Sequence, residues 1–319
     1  MNKVLDLKKY FIEATQLAAI SCHGFKGKKD KNAADQAAVN SMREVFKRTP
    51  FDGVVSIGEG EIDEAPMLYI GESLGTMINS SDAIKADIAV DPLECTRNCA
   101  FDLPNAITVL AIAPRDTLLN APDTYMNKIV GGKDLIGHIS LNKTVEDNLI
   151  ICAEVLKKDI SNISVIVLDR PRNQYIIDAI TAMGAKYELI GDGDIMGSLR
   201  VVSGEADMLM GIGSAPEGVI TATAIKGVGG VFEGQMKPHD DITLSRTKKM
   251  LGEKYNKIWT CDELCSSNDS IFVATGVCDG WIKGVEESDS YYLTTTCVID
   301  VKQKTMNFVK EKFPIIINN

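Results

Sequence analysis

Hydrophobic and polar positions along the first half of the chain switch between helical and strand-like spacing. Apolar residues three and four apart are typical of amphipathic helices, and short, nearly continuous apolar runs are typical of buried strands. Helices are predicted at residues 4–20, 33–48 and 65–75, and strands at 53–61, 86–91 and 106–114.

After about residue 160 the pattern becomes a regular alternation of strand and helix. Strands are predicted at 163–169, 185–190 and 206–213, and helices at 170–184, 192–202 and 215–230. Such alternation predicts a mostly parallel sheet covered by helices, with ligands bound at the carboxyl ends of its strands. We therefore expect two α/β lobes, residues 1–160 and 161–319.

The composition of the 319-residue chain is ordinary for a globular protein, with 45% hydrophobic and 24% charged residues. A net charge of −10 argues against a general nucleic-acid surface, which needs clustered Lys and Arg. No stretch predicts a signal peptide or a membrane span. The eight cysteines lack zinc-ligand spacing, so we expect reduced thiols in a cytoplasmic protein. With three histidines and no strong nucleophile motif, a Ser-His-Asp mechanism has little support.

Acidic residues cluster where apolar runs end, and this is the main chemical signal in the sequence. Oxygen ligands of this kind suit Mg²⁺ or Mn²⁺ better than Zn²⁺. Taken singly, Asp35, Asp194 and Glu217 are more readily explained as acids that offset the positive end of a helix. Taken together, acids beside glycines at strand ends predict a cation site. They are Asp35, Glu59, Glu61, Asp91, Glu94, Asp192, Asp194 and Glu217.

The stretch "VDPLECT" at residues 90–96 gives the sharpest of these predictions. Pro92 cannot donate to a sheet ladder, so we expect the strand to end at Asp91. The turn that follows brings Glu94 back over the strand end, while backbone N–H groups point into the same space. A cation beside such an anion-binding nest is what a phosphate ester needs.

Few basic residues are placed to bind a phosphate group. "DRPRN" directly follows a predicted strand, so Arg170 and Arg172 are expected at its carboxyl end, where arginine binds phosphate bidentately. Lys31 and Lys133 are further candidates. "GIGSAPEG" at 211–218 lacks the third glycine of a dinucleotide fingerprint, and no Walker A motif occurs. A nucleotide-binding oxidoreductase therefore rests only on the strand–helix alternation and "GIG".

Seven motifs, in order along almost the whole chain, resemble those of class II fructose-1,6-bisphosphatase. They are "GKKDKNAADQAAVNSMR", "SIGEGEIDEAPMLYIGE", "VDPLECT", "NAPDTYM", "RPRN", "DGD" and "GIGSAPEGV". The family belongs to the lithium-sensitive sugar and inositol phosphatases, whose fold is a layered αβαβα sandwich of two α/β lobes. The resemblance implies a metal-binding N-terminal lobe and a C-terminal lobe that carries substrate-binding loops.

The resemblance also implies a reaction, namely hydrolysis of the 1-phosphate of fructose 1,6-bisphosphate to fructose 6-phosphate, a step of gluconeogenesis and glycerol metabolism, with two or more Mg²⁺ or Mn²⁺ ions. The implied metal ligands are Asp35, Glu59, Asp91, Glu94 and Glu217. The implied catalytic residues are Thr96, which positions the metal-activated water, Asp63 and Glu61, which help to activate it, and Lys31 beside the phosphate. The implied substrate contacts are Glu94, Cys95, Thr96, Tyr125, Arg170, Arg172, Asp192, Gly193, Asp194 and Ser214. The resemblance further implies a homodimer or homotetramer, and from the composition we expect no nucleic-acid or membrane partner.

The sequence departs from the family pattern at three positions. Cys95 and Ser214 stand where the family usually has glycine, and Asn173 stands where it often has histidine. A residue other than glycine is strained if either glycine position needs a positive φ angle. Two alternatives therefore stay open. One is a related substrate, such as sedoheptulose 1,7-bisphosphate or an inositol phosphate, and the other is a homologue that binds metal and sugar phosphate without turnover.

Overall fold

The computed structural model describes residues 3–58, 60 and 68–315 of the chain. Within these residues the α-helices are α1 (Lys8–His23), α2 (Lys31–Phe46), α3 (Thr96–Ala100), α4 (Val145–Leu156), α5 (Gln174–Ala182), α6 (Asp194–Val202), α7 (Ala215–Val228), α8 (Asp241–Leu251) and α9 (Cys261–Leu264). Short 3-10 helices are formed by Val4–Leu7, Lys133–Leu135, Ile160–Asn162, Pro171–Asn173 and Gly252–Lys254. None of these helices is both long and apolar enough to cross a membrane.

The strands of the described residues form two sheets. They are β1 (Asp52–Ile57), β2 (Ser73–Leu74), β3 (Lys85–Glu94), β4 (Ile107–Pro114), β5 (Tyr125–Gly131), β6 (Ser164–Leu168), β7 (Lys186–Ile190), β8 (Met208–Ser214), β9 (Val231–Lys237), β10 (Ile258–Thr260), β11 (Ile271–Gly276), β12 (Glu286–Glu287), β13 (Tyr291–Asp300) and β14 (Thr305–Pro314). With the helices around them, they make the chain a mixed α/β protein, as the sequence predicts.

The chain divides into two compact units, Met1–Leu118 with Ser267–Asn319, and Leu119–Ser266. This division differs from the boundary expected near residue 160. The difference arises because the C-terminal strands return to the first sheet, where β11 pairs with β4. Pairing between strands so distant in sequence leaves no local pattern from which a boundary could be read.

The first unit is built on an eight-stranded sheet in the order β12-β13-β11-β4-β3-β1-β2, with β14 beside β13. Within it β1 and β3 are parallel, and the other described pairs are antiparallel. α1 and α2 pack against each other, and α1 also packs against the sheet. The rings of Phe11, Phe46 and Phe51 meet in this core at centroid separations of 5.8–6.5 Å.

The second unit is built on a six-stranded sheet in the order β10-β9-β5-β8-β6-β7. The expectation of a mostly parallel sheet holds only for β6 with β7 and β8. β5 is antiparallel to both β8 and β9, and β9 is antiparallel to β10. The alternation of strands and helices predicted the parallel pairing of β6 with β7 and β8. It did not predict the antiparallel strands β5 and β9, which also belong to this sheet.

The strand at "VDPLECT" does not end at Asp91, so that prediction was wrong. β3 continues to Glu94, which pairs with Ile107 of β4, and the register shifts between Asp91 and Glu94. Pro92 lies within this irregularity, where it does not have to donate to the ladder. The backbone N–H of Leu93 instead donates to Oδ1 of Asp91 at 3.1 Å. The two acids therefore flank a bulge at the end of a buried strand.

The prediction of a helix at residues 65–75 is wrong for the residues in this range that the structure describes. Residues 65–67 lie outside the described part, and 68–75 form turns and β2. Gly71 and Gly75 have φ angles of 91° and 108°, which no α-helix accommodates.

Candidate active site

The bulged end of β3 holds two of the predicted metal ligands close together. One carboxylate oxygen of Asp91 and one of Glu94 lie within 4.8 Å of each other. Glu94 is 5% exposed, and Asp91 is half-buried. Two carboxylates held this close in a partly desolvated place repel each other unless a cation or a proton compensates them. The arrangement therefore suits a hard divalent cation.

Asp35 is the third predicted ligand of the first unit that lies within the described residues. It lies in the second turn of α2, a helix whose start is capped by Asp30, which accepts the N–H of Ala33 at 3.0 Å. α2 packs against both β3 and α3. Burial raises the pKa of the Asp35 carboxyl to about 6, because the charged form loses hydration. Lys31, the first residue of α2, is exposed.

Cys95 joins β3 to α3 in the left-handed region, with φ 64° and ψ 48°. Its carbonyl accepts the N–H groups of Asn98 at 2.7 Å and Cys99 at 3.2 Å, so the turn continues directly into the helix. The family's usual glycine at this position thus corresponds to a conformation that favours glycine. Ser214, the other position where the family has glycine, has an ordinary φ of −74° and carries no such strain.

Thr96 is the first residue of α3, directly after Cys95. Its hydroxyl donates to the carbonyl of Leu93 at 3.4 Å, which leaves the oxygen lone pairs as acceptors. The hydroxyl is therefore held two residues from the Glu94 carboxylate by the same bulge and turn.

Three predicted site residues, Glu59, Glu61 and Asp63, lie outside the described residues, and their roles stay predictions. The chain after this segment is held firmly. Arg43 of α2 donates from Nε and Nη2 to Oε1 of Glu72 at 2.9 and 2.7 Å. This ion pair ties the turn before β2 to the helix that carries Asp35.

In the second unit, predicted substrate residues meet at one end of the sheet. Tyr125, the first residue of β5, lies directly opposite Ser214, the last residue of β8. The guanidinium carbon of Arg172 lies 4.2 Å from the centroid of the Tyr125 ring, a cation–π contact. Nε of Arg172 donates to the carbonyl of Ile212 at 2.9 Å, while Nη1 of Arg170 donates to a neighbouring carbonyl at 2.9 Å.

Asn173 holds this arginine-bearing loop in place. It is fully buried, accepts the N–H of Ile212 at 2.8 Å and donates to the carbonyl of Leu168 at 3.0 Å. One amide side chain thus joins the end of β6 to β8.

The "DGD" motif forms the turn that begins α6. Gly193 has a φ of 86°, which favours glycine, and its N–H donates to Oδ1 of Asp192 at 3.2 Å. The Asp192 side chain is exposed, whereas Asp194 is 3% exposed. Oδ2 of Asp194 lies 2.5 Å from Nζ of Lys128, which is itself 1% exposed. Sequence reasoning missed Lys128, a single lysine within a strand that is otherwise uncharged.

Glu217, the remaining predicted ligand, lies in the first turn of α7 and is half-buried. An acid there offsets the positive end of the helix, as the alternative explanation from sequence requires. The position suits a helix-start acid and an ion ligand equally.

The two sheets, the close carboxylate pair and the arginines at a sheet end define an α/β protein equipped for a cation and a phosphate-like anion. The family model described as "Bacterial fructose-1,6-bisphosphatase, glpX-encoded" matches residues 5–313, and the chain belongs to this family. It is thus a phosphoric monoester hydrolase of the fructose-bisphosphatase type, as the resemblance implied.

Curated relatives agree over nearly the full length. The chain is 38% identical to fructose-1,6-bisphosphatase class 2 of Haemophilus influenzae, over 97% of this chain and 96% of the relative. It is 38% identical to fructose-1,6-bisphosphatase 1 class 2 of Escherichia coli K12, over 96% and 94%. It is 36% identical to the D-fructose 1,6-bisphosphatase class 2/sedoheptulose 1,7-bisphosphatase of Microcystis aeruginosa, over 97% and 96%.

The solved structures that resemble the chain include two proteins with only weak likeness. SuhB of Bartonella henselae matches with a TM-score of 0.37 and 12% identity, over 66% of this chain and 77% of the other. Inositol monophosphatase of Anabaena matches with a TM-score of 0.34 and 14% identity, over 64% and 73%. These TM-scores and sequence identities are too low to support any conclusion about this chain.

Proposed function

We propose that the protein hydrolyses the 1-phosphate of fructose 1,6-bisphosphate to give fructose 6-phosphate and phosphate, with divalent cations as cofactors. The observation that carries this proposal is the Asp91–Glu94 pair, with oxygens within 4.8 Å, directly before the turn that presents Thr96. A carboxylate pair and a hydroxyl on one rigid bulge are the parts that phosphate-ester hydrolysis with an activated water requires.

The residues present fit a divalent cation. Two oxygens that share one Mg²⁺ at about 2.1 Å each stand roughly 3–4 Å apart, so the pair needs little movement to bind one ion. A cation held there would supply positive charge for the phosphoryl oxygens and would make a nearby water more acidic. Both acids are oxygen donors, which suits Mg²⁺ and Mn²⁺ alike.

The protein's own groups then act by position and charge. Asp91 and Glu94 would hold the cation, and we infer that the Thr96 hydroxyl accepts a hydrogen bond from the attacking water and fixes its line of approach. Asp35 adds a carboxylate on the adjacent helix. Burial raises the pKa of its carboxyl, and a bound cation would favour the charged form.

Residues whose roles the family resemblance implies complete the proposal. Among them, Glu61 and Asp63 assist in activating the water, and Lys31 lies near the phosphate. The further ligands are Glu59 and Glu217. Substrate contacts in the second unit are Tyr125, Arg170, Arg172, Asp192, Gly193, Asp194 and Ser214. Family membership also supports a cytoplasmic homodimer or homotetramer.

Sedoheptulose 1,7-bisphosphate is a second candidate substrate. The bifunctional name of the Microcystis aeruginosa relative, 36% identical, is the specific observation that favours it. Both sugars are ketose bisphosphates, and sedoheptulose 1,7-bisphosphate is longer by one CHOH unit.

Phosphate release measured over a panel of substrates and metals tests the proposal. Fructose 1,6-bisphosphate is expected to release phosphate with Mg²⁺ or Mn²⁺, and release should stop in EDTA and resume when metal is restored. Glu94→Gln and Asp91→Asn should lose most activity, whereas Glu311→Gln, an exposed acid on β14, should retain it. A folded, metal-loaded protein that releases no phosphate from either bisphosphate would refute the proposed function.

A further inference from the structure

His239 lies against the predicted substrate residue Tyr125, although no sequence motif pointed to it. The two ring centroids are 4.9 Å apart with an interplanar angle of 43°. Arg172 contacts the same tyrosine ring at 4.2 Å. One half-buried aromatic ring is therefore contacted by an arginine from the loop after β6 and by a histidine that follows β9.

The strand register brings a third basic residue to the same place. Tyr125 of β5 lies directly opposite Ser214 of β8 on one side and Lys237 of β9 on the other. Directly opposed residues of antiparallel strands project to the same face, with Cβ atoms roughly 5 Å apart. Ser214, Tyr125 and Lys237 therefore form one cross-strand row, and Lys237 is exposed at its end.

The backbone at His239 is fixed by the start of α8. Its N–H donates to the hydroxyl of Thr243 at 3.1 Å. Asp240, the N-cap, accepts the N–H of Thr243 at 2.7 Å. The histidine thus stands on a capped helix start, with its side chain 49% exposed.

A simpler explanation for the position of the His239 side chain is an ion pair with its neighbour Asp240. Nε2 of His239 and Oδ2 of Asp240 are 3.6 Å apart, and both side chains are 49% exposed. A pair this long and exposed contributes little. The Asp240 carboxylate is also engaged by Thr243, whose N–H and hydroxyl lower its pKa. The pair therefore does not account for the ring contact with Tyr125.

We propose that His239 is a substrate-binding residue, which together with Lys237 and Arg172 binds the phosphate group of the sugar bisphosphate that is not cleaved. This inference rests on the proposed function and extends its substrate site by two residues of the second unit. Arg172, Lys237 and the capping Asp240 are charged groups near this row or near His239. Two permanent cations and an imidazole N–H beside one aromatic ring suit a phosphate monoester.

The substrate chemistry follows from this arrangement. Tyr125 presents its ring and hydroxyl to the sugar, while the basic groups around it bind the phosphate group that is not cleaved, here called the distal phosphate. The site then favours a sugar that carries a second phosphate over one that lacks it. His239 and Lys237 therefore determine affinity for the bisphosphate, without taking part in bond cleavage.

Calorimetric titration with fructose 6-phosphate, which carries only the retained phosphate, tests the inference. His239→Ala should raise the Kd about tenfold, which corresponds to about 1.4 kcal/mol. His138→Ala, the removal of an exposed histidine elsewhere in the second unit, should leave the Kd within about twofold. In turnover assays, His239→Ala should raise the KM for fructose 1,6-bisphosphate about tenfold and change kcat by less than about twofold.

The outcomes separate this inference from the proposed function. Equal Kd and KM values in His239→Ala and His138→Ala would overturn the inference while hydrolysis stands. Failure of the unaltered protein to bind fructose 6-phosphate would overturn it as well. Binding that weakens in His239→Ala, in a protein that releases no phosphate, would support this subsite and refute the proposed function. A fall in kcat with an unchanged KM would also overturn it, because a distal phosphate contact acts on binding.

Discussion

Nζ of Lys128 and Oδ2 of Asp194 form a 2.5 Å ion pair in which both side chains are at most 4% exposed. The pair joins the middle of β5 to the first residue of α6, directly after the "DGD" turn. The carboxylate of Asp194 is therefore held by the protein itself. Its predicted contact with substrate stays a prediction.

Removal of one partner of this pair is expected to destabilise the protein strongly. Lys128→Met leaves a buried carboxylate without its cation, which costs about 3–5 kcal/mol. The double variant Lys128→Met/Asp194→Leu should recover most of that loss, because apolar groups of similar volume replace both charges. Chemical unfolding measures both effects. Lys283→Met, which breaks an exposed pair with Asp279, should change stability by no more than about 0.5 kcal/mol. A Lys128→Met loss as small as this control would contradict the prediction.

The left-handed backbone of Cys95 makes a second prediction about stability. Cys95→Gly should be about 1 kcal/mol more stable than Cys95→Ala, because both variants lose the thiol but only alanine keeps a Cβ at φ 64°. Thermal unfolding of the two variants measures the difference.

Cys99, three residues into α3, supplies the matched control with the opposite sign. In this helical position Cys99→Gly should be less stable than Cys99→Ala by up to about 1 kcal/mol. If glycine were the weaker substitution at both positions, the strain attributed to Cys95 would be absent. A rise in turnover in both Cys95→Gly and Cys95→Ala, which both lack the thiol, would further show that the thiol obstructs the substrate.

Local sequence patterns predicted the helices α1 and α2, the strands around β6 and the closeness of Asp91 and Glu94. These features depend on residues within one or two elements, so spacing alone reports them. The return of β11 to β4 depends on pairing across more than 150 residues, which no window of sequence contains. The prediction that β3 ends before Pro92 failed because it assumed a regular strand. A bulge accommodates the proline, so the strand continues past it to Glu94.

Two site features were beyond sequence reasoning. Lys128 looks like an isolated charge in the sequence, and only the packing of α6 against β5 brings Asp194 to it. His239 lies after β9 in a stretch without a motif, and its nearness to Tyr125 follows from the antiparallel register of β5 and β9. Both depend on strand pairings that strand–helix alternation does not predict.

Buried thiols in this protein are expected to be unreactive at neutral pH. Burial raises the pKa of Cys152 and of Cys297 to about 12, so their reactive thiolate forms only as the pH approaches that value. At pH 8 each of these two cysteines is therefore a thiolate in roughly one molecule in ten thousand. A colorimetric disulfide reagent should therefore label these thiols over hours in the native protein and within minutes after denaturation, when eight thiols react.

Glutathione at the same thiol concentration is the control for the reagent. Raising the pH from 8 to 10 should increase native labelling about a hundredfold, since the thiolate fraction grows tenfold per pH unit well below the pKa. Rapid labelling of Cys152 or Cys297 at pH 8, identified by mass spectrometry, would contradict the burial that the structure assigns to them.

The hydroxyl of Thr96 gives the most specific prediction about chemistry. Thr96→Ala should lower kcat about 100-fold or more, because it removes the group that we infer aligns the attacking water. Thr96→Ser keeps a hydroxyl on the first residue of α3 and should retain activity within about tenfold of the unaltered protein. KM should change little in either variant, since Thr96 acts on the water. Metal affinity, measured by calorimetry, should also persist, because Asp91 and Glu94 are intact. Equal activities of the alanine and serine variants would show that the hydroxyl has no role, and would leave the carboxylate pair alone as the catalytic part of this bulge.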